Sequence, residues 1–113
     1  PLMVAQVQLV HPPSGAAAAV DLITANTARL VEGVNRASEQ ATGIVRRGGG
    51  VQDIRARVLP TRRGDMVIVD LVVHVCDSMG ANVATIMAET ASPLLEQLTG
   101  ACARIRILSN LAT

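Results

Sequence analysis

The stretch IRARVLPTRRGDMVIVDLVVHVC, residues 54–76, decides the fold. Apolar residues alternate with arginine from Ile54 to Val58, which predicts a strand with one buried and one polar face. Turn-forming residues follow in Pro60–Asp65, and the apolar run Met66–Cys76 predicts a second strand. The centre of the chain is therefore predicted to be a β-hairpin.

Patterns on both sides of this hairpin complete the fold. Met3–Val10 alternates with period two, and apolar residues recur at helical spacing from Val20 to about Ser38. Beyond the hairpin, a helical pattern covers Ala81–Leu98, and Ala103–Ile107 alternates again. The order strand, helix, strand, strand, helix, strand predicts an α+β fold, a ferredoxin-like βαββαβ sandwich whose four-stranded antiparallel sheet carries two helices on one face.

Composition limits the function classes. The chain has 113 residues, a net charge of +1, no Lys and no aromatic residue. This length predicts one domain, and the balanced charge gives no reason to expect nucleic acid or an acidic membrane as partner. No apolar run reaches the ~18 residues of a membrane span, no signal peptide is recognisable, and two cysteines suit a reducing compartment, so a cytoplasmic location is expected.

The sheet face opposite the helices is expected to be polar. It would carry Gln6, Gln8, Arg55, Arg57, Asp70, His74, Arg104 and Arg106. RNA-recognition modules present a similar basic sheet, but they stack bases on aromatic side chains, which this chain lacks. A regulatory or interaction module without catalytic activity is the remaining alternative to a ligand-binding domain.

The junction Asp77-Ser78-Met79-Gly80-Ala81-Asn82 is the strongest candidate site. A strand that ends in an acidic residue and a glycine before a helix leaves backbone N–H groups and the positive end of the helix dipole open to an anion, such as a dinucleotide pyrophosphate. The structural alternative is that Asp77 or Ser78 only caps the helix. No metal site is predicted, because His74, Cys76 and Cys102 give only three ligands at no standard spacing.

The same junction resembles the cofactor motif DAMGAN of 3-hydroxy-3-methylglutaryl-coenzyme A (HMG-CoA) reductases, with Ser78 in place of the usual alanine. The glycine-rich turn GGGVQDI, residues 48–54, and the strand RIRILSNLA, residues 104–112, also resemble that family, in the same order and at matching separation. AQVQ near the start of the chain fits as well. The short segment before the glycine turn favours the bacterial, class II form over the membrane-anchored form.

The resemblance implies a function. Reductases of this family interconvert HMG-CoA and mevalonate plus coenzyme A by two hydride transfers from a nicotinamide cofactor. Residues 1–113 would be the excised cofactor-binding small domain, with cofactor contacts from Asp77 to Asn82 and with Asn110 facing the active site. The catalytic residues would lie outside the chain, so the chain alone would be inactive. The expected partners are the large domain, which binds the coenzyme A thioester, and a second subunit of a homo-oligomer.

The choice between NAD and NADP depends on the loop after the first helix. A carboxylate usually binds a ribose 2′-hydroxyl, whereas a 2′-phosphate is bound by arginine. Glu39 offers the carboxylate, and Arg46 and Arg47 offer guanidinium groups. NAD is expected, with NADP as the alternative.

Overall fold

The computed structural model describes residues 2–43, 45–46, 48–75 and 80–110, with the backbone alone for 40–42, 80–81 and 106–110. Its elements follow one another as β1 (Leu2–Val10), α1 (Ala16–Ala25), α2 (Thr27–Thr42), β2 (Gly50–Thr61), β3 (Gly64–His74), α3 (Gly80–Thr99) and β4 (Cys102–Asn110).

The strands form one antiparallel sheet in the order β2-β3-β1-β4. This is the order of the ferredoxin-like arrangement, in which the first and third strands lie at the centre. The predicted α+β fold with a four-stranded antiparallel sheet is therefore confirmed. The predicted turn between β2 and β3 is shorter than expected, because Thr61 pairs with Gly64 and leaves only Arg62 and Arg63 between the strands.

The core lies between the sheet and the helices. Alternate residues of β1 and β3 point toward the helices and are fully buried, as the period-two pattern predicts. The largest of these are Val7, Leu9, Val67, Val69, Leu71 and Val73. Helix α3 covers them with Met87 and Leu95 and with the small side chains of Ala84, Ala88 and Ala91, which allow a close approach of helix and sheet.

The first helical segment is two helices rather than one. Polar side chains at the break bind carbonyl groups of the last turn of α1. The Asn26 Nδ2 donates to the Leu22 carbonyl at 2.7 Å, and the Thr27 hydroxyl lies 3.1 Å from the carbonyls of Ile23 and Thr24. Such local side-chain bonds compete with the helical ladder. Helix α2 then continues to Thr42, beyond the predicted end near Ser38, and stops at Gly43 in the left-handed conformation.

None of the three helices in the described ranges combines the length and apolar character that crossing a bilayer requires.

Candidate functional site

The sheet register brings the candidate segments to one end of the sheet, called here the motif edge. At the motif edge, residues of neighbouring strands pair in one row: Gly50 of β2 pairs with His74 of β3, and His74 pairs with Leu2 of β1. Asn110 of β4 pairs with the neighbouring Met3. With strands ~4.8 Å apart, the row from β2 to β4 spans roughly 15 Å. The start of β2 in the glycine turn, the end of β3 and the end of β4 therefore lie close together.

Helix α3 presents its N-terminus at the motif edge. It begins at Gly80, the fourth residue of the predicted motif, and Ala81 and Asn82 complete its opening turn. The Asn82 side chain is exposed. No acidic residue lies in this turn, so the first N–H groups and the dipole of a 20-residue helix meet no carboxylate from the turn itself. Asp77, Ser78 and Met79 lie outside the described residues.

The glycine turn is fixed to helix α2 by Asn35. The Asn35 Nδ2 donates to the Val51 carbonyl at 2.9 Å, and the Val51 N–H donates to the Asn35 Oδ1 at 2.8 Å. Because β2 is an edge strand, this pair replaces the neighbouring strand that Val51 lacks on that side. Gly50 is required here: its φ is +116°, and an added Cβ would lie 2.7 Å from the Asn35 Oδ1.

The loop after α2 brings two predicted cofactor contacts together. The Arg46 Nε donates to the Glu39 Oε1 at 2.8 Å, and the Glu39 Oε2 accepts from the Val45 N–H at 3.1 Å. The Glu39 side chain is one-quarter exposed, whereas that of Arg46 is 80% exposed. Glu39 thus organises the loop from which Arg46 extends. Arg47 lies outside the described residues.

The other predicted site residues are placed only in part. Asn110 is the last residue of β4, as expected for a residue at the motif edge. His74 lies on the face away from the helices, and its buried Nδ1 has no hydrogen-bond partner within the described part of the chain. No group of three metal-ligating side chains occurs among the described residues. Cys76 is outside them.

The sequence did not reveal the role of Asn35. It lies in a helical pattern 15 residues before Gly50, and nothing in that pattern distinguishes it from the other polar residues of α2. Only the packing of α2 beside the edge strand β2 gives its amide a backbone partner.

Comparison with known proteins identifies the family. The model of the hydroxymethylglutaryl-coenzyme A reductase family matches residues 1–113. The 3-hydroxy-3-methylglutaryl-coenzyme A reductase of Archaeoglobus fulgidus is 40% identical over 111 residues, which cover 98% of this chain and 24% of that protein. This chain therefore spans about a quarter of the length of that relative.

Solved structures agree with the sequence match. A class II 3-hydroxy-3-methylglutaryl-CoA reductase from Streptococcus pneumoniae bound to NADPH superposes with a TM-score of 0.83 at 31% identity, over 96% of this chain and 28% of that one. A second structure of the S. pneumoniae enzyme gives a TM-score of 0.82 at 30% identity, with the same coverage. The fold, the motif stretches and both comparisons agree, and the chain belongs to the hydroxymethylglutaryl-coenzyme A reductase family.

Proposed function

We propose that this chain is the nicotinamide-cofactor-binding small domain of an HMG-CoA reductase. The observation that carries the proposal is the sheet register. Three strand ends that are far apart in sequence, the start of β2 in the glycine turn, the end of β3 and the end of β4, lie side by side at the motif edge, and we propose that the β3–α3 junction completes this site. A ligand large enough to contact several of them at once is favoured over a helix cap that serves α3 alone.

The residues at the motif edge suit a dinucleotide. The N-terminus of α3, with Gly80 at its start and no carboxylate in its first turn, favours a pyrophosphate. Asn82 offers an exposed amide that donates and accepts hydrogen bonds. Asp77, Ser78, Met79 and Ala81 complete the proposed contact segment. When bound, the cofactor supplies the hydride, and the residues of this chain bind and orient it.

The chemistry requires parts of the protein beyond this chain. The chain has no Lys, and it covers only 24–28% of the length of its relatives. We propose that residues 1–113 are one domain and that a large domain binds the coenzyme A thioester. A second subunit completes the homo-oligomer, and Asn110 faces the active site between domains. The whole protein would interconvert HMG-CoA and mevalonate plus coenzyme A, and the chain alone would be inactive.

We propose NAD as the cofactor, with NADP as the alternative that the NADPH-bound S. pneumoniae enzyme represents. In the loop after α2 the Arg46 Nε is paired with Glu39, which neutralises part of the positive charge that a 2′-phosphate would need. The terminal nitrogens of the exposed Arg46 and the neighbouring Arg47 are the groups that NADP would use. Glu39 would serve the ribose hydroxyl of NAD.

The test of the cofactor site compares two ligands in the full-length reductase. Asp77→Ala and Gly80→Val are expected to weaken nicotinamide-cofactor binding much more than coenzyme A binding. Asp77→Ala removes a carboxylate, and Gly80→Val places a β-branched side chain where the backbone approaches the ligand. Dissociation constants are measured for both ligands by fluorescence and calorimetric titration.

The matched control is Arg29→Ala, which changes an exposed residue near the start of α2, at the opposite end of that helix from the loop with Arg46. It is expected to leave both dissociation constants unchanged. Equal losses of cofactor and coenzyme A binding in the folded Asp77 and Gly80 variants would refute the assignment. Steady hydride transfer by the isolated chain above the blank would refute the location of the catalytic groups elsewhere.

The cofactor choice has its own test. Arg46→Ala/Arg47→Ala is expected to change the dissociation constant for NAD less than tenfold in a wild type that prefers NAD. A wild type that prefers NADP, together with a selective tenfold or greater loss of NADP binding in the variant, about 1.4 kcal/mol, would overturn the choice of NAD.

A further inference from the structure

A cleft lies at the end of the sheet opposite the motif edge, and it is called here the distal cleft. It has a volume of ≈ 480 Å³ and is lined by Val10, His11, residues 61–66 of the β2–β3 turn, and Arg104. Along β1, Val10 lies eight residue steps from Leu2, so roughly 26 Å lies between the distal cleft and the motif edge. One bound cofactor segment cannot serve both places.

The distal cleft gathers positive charge. Arg62, Arg63 and Arg104 line it, and Asp65 is the only acidic residue in its lining. None of these three arginines forms an ion pair with a described carboxylate. Four other described arginines, Arg36, Arg46, Arg55 and Arg57, each do. All three side chains are exposed, and three guanidinium cations around one cleft favour a multiply charged anion.

The fold, and not a basic run in the sequence, brings these groups together. Arg62 and Arg63 occupy the turn between β2 and β3, while Arg104 lies 41 residues later on β4, opposite Gln8 of β1. Val10 and Met66 lie between them and form an apolar floor. His11 closes the end of β1 with a φ of 57°, a left-handed conformation in which His is more common than most residues.

We propose that the distal cleft binds a small molecule through a diphosphate group. A guanidinium presents paired N–H donors that match phosphate oxygens, and three of them suit more than one unit of negative charge. The volume lies in the range of small-molecule sites. A nucleic acid fits less well, because the chain has no aromatic side chain on which a base would stack.

The test uses the full-length reductase and inorganic pyrophosphate as the probe. Calorimetric titration at ~0.15 M salt, where the Debye length is about 8 Å, is run with and without saturating nicotinamide cofactor. Saturable binding is expected in both cases, because the distal cleft is separate from the motif edge. With the motif edge saturated by cofactor, Arg62→Gln/Arg63→Gln/Arg104→Gln is expected to weaken pyrophosphate binding at least tenfold, while Arg29→Gln, a change at an exposed arginine of α2, leaves it unchanged.

A second measurement needs no variant. Phenylglyoxal modifies accessible arginines, and pyrophosphate is expected to protect Arg62, Arg63 and Arg104 but not Arg29, as read by peptide mass spectrometry. Absence of saturable binding, binding that the triple variant retains in the presence of saturating cofactor, or binding that cofactor abolishes would overturn the proposal. Binding to anionic vesicles without binding to pyrophosphate would also overturn it, because it would make the cleft a membrane contact. If the wild-type reductase binds pyrophosphate at the distal cleft but does not bind the nicotinamide cofactor, the result would count against the proposed function and not against the distal cleft.

Discussion

Asn35→Ala should destabilise the fold and loosen the glycine turn. The Asn35 amide makes two hydrogen bonds with Val51, of 2.9 and 2.8 Å, and Val51 is only 4% exposed. Each such bond contributes about 1 kcal/mol net, and a buried backbone group left without a partner adds to the loss. The variant is therefore expected to lower the free energy of unfolding by about 2–3 kcal/mol.

The assay is urea unfolding of the 113-residue chain, followed by circular dichroism. With a slope of roughly 1–3 kcal/mol/M, the midpoint should fall by about 0.7–3 M. Hydrogen exchange at the Val51 amide should accelerate more than exchange in β1. The matched control is Asn26→Ala, which removes one exposed bond to the Leu22 carbonyl and should cost less than about 1 kcal/mol.

A double-mutant cycle with Gly50→Ala sharpens the test. The added Cβ would lie 2.7 Å from the Asn35 Oδ1, so the single variant suffers both a clash and the strain of a φ of +116°. In the Asn35→Ala background the clash with the amide is gone. The double variant should therefore lose at least about 1 kcal/mol less unfolding free energy than the sum of the losses of the two single variants. Strict additivity, or a loss for Asn35→Ala no larger than that for Asn26→Ala, would refute the reasoning.

Three further predictions follow from the packing and the loop. Met87→Ala removes a fully buried side chain of α3 and should cost about 2–5 kcal/mol in unfolding free energy, whereas Leu59→Ala, at a 42% exposed position, should cost less than about 1 kcal/mol by the same denaturation assay. Glu39→Gln keeps the shape but loses the charge that holds Arg46; amide exchange at Val45 and Arg46 should accelerate, with global stability changed by less than about 1 kcal/mol. Thr99→Val removes the buried hydroxyl that accepts from the Ala101 N–H at 3.2 Å, and the unpaired amide should lower the unfolding free energy by about 1–3 kcal/mol; an unchanged midpoint would contradict the role given to that bond.

The sequence was sufficient to predict the fold class, because the alternation in strands and the helical spacing are local consequences of burying one face. Its order of elements restricted the sheet to the ferredoxin-like arrangement. The break at Asn26 was missed, although Thr24, Asn26 and Thr27 carried the signal in their short polar side chains. The apolar residues keep their helical spacing across the break, so the pattern predicted one continuous helix. It did not show that side-chain hydrogen bonds to the preceding carbonyls compete with the helical backbone bonds.

The motif stretches were also recognisable in the sequence, because their residues, order and separation resemble those of the reductase family. The proximity of the ends of β2, β3 and β4 at the motif edge was decided by the strand register, which depends on long-range pairing among the four strands. The tertiary structure also decided the contact of the Asn35 amide with the edge strand β2, the pairing of Glu39 with Arg46, and the grouping of the three arginines in the distal cleft. Each brings together groups from different elements, and their hydrogen bonds and charges meet only after the sheet and helices have packed.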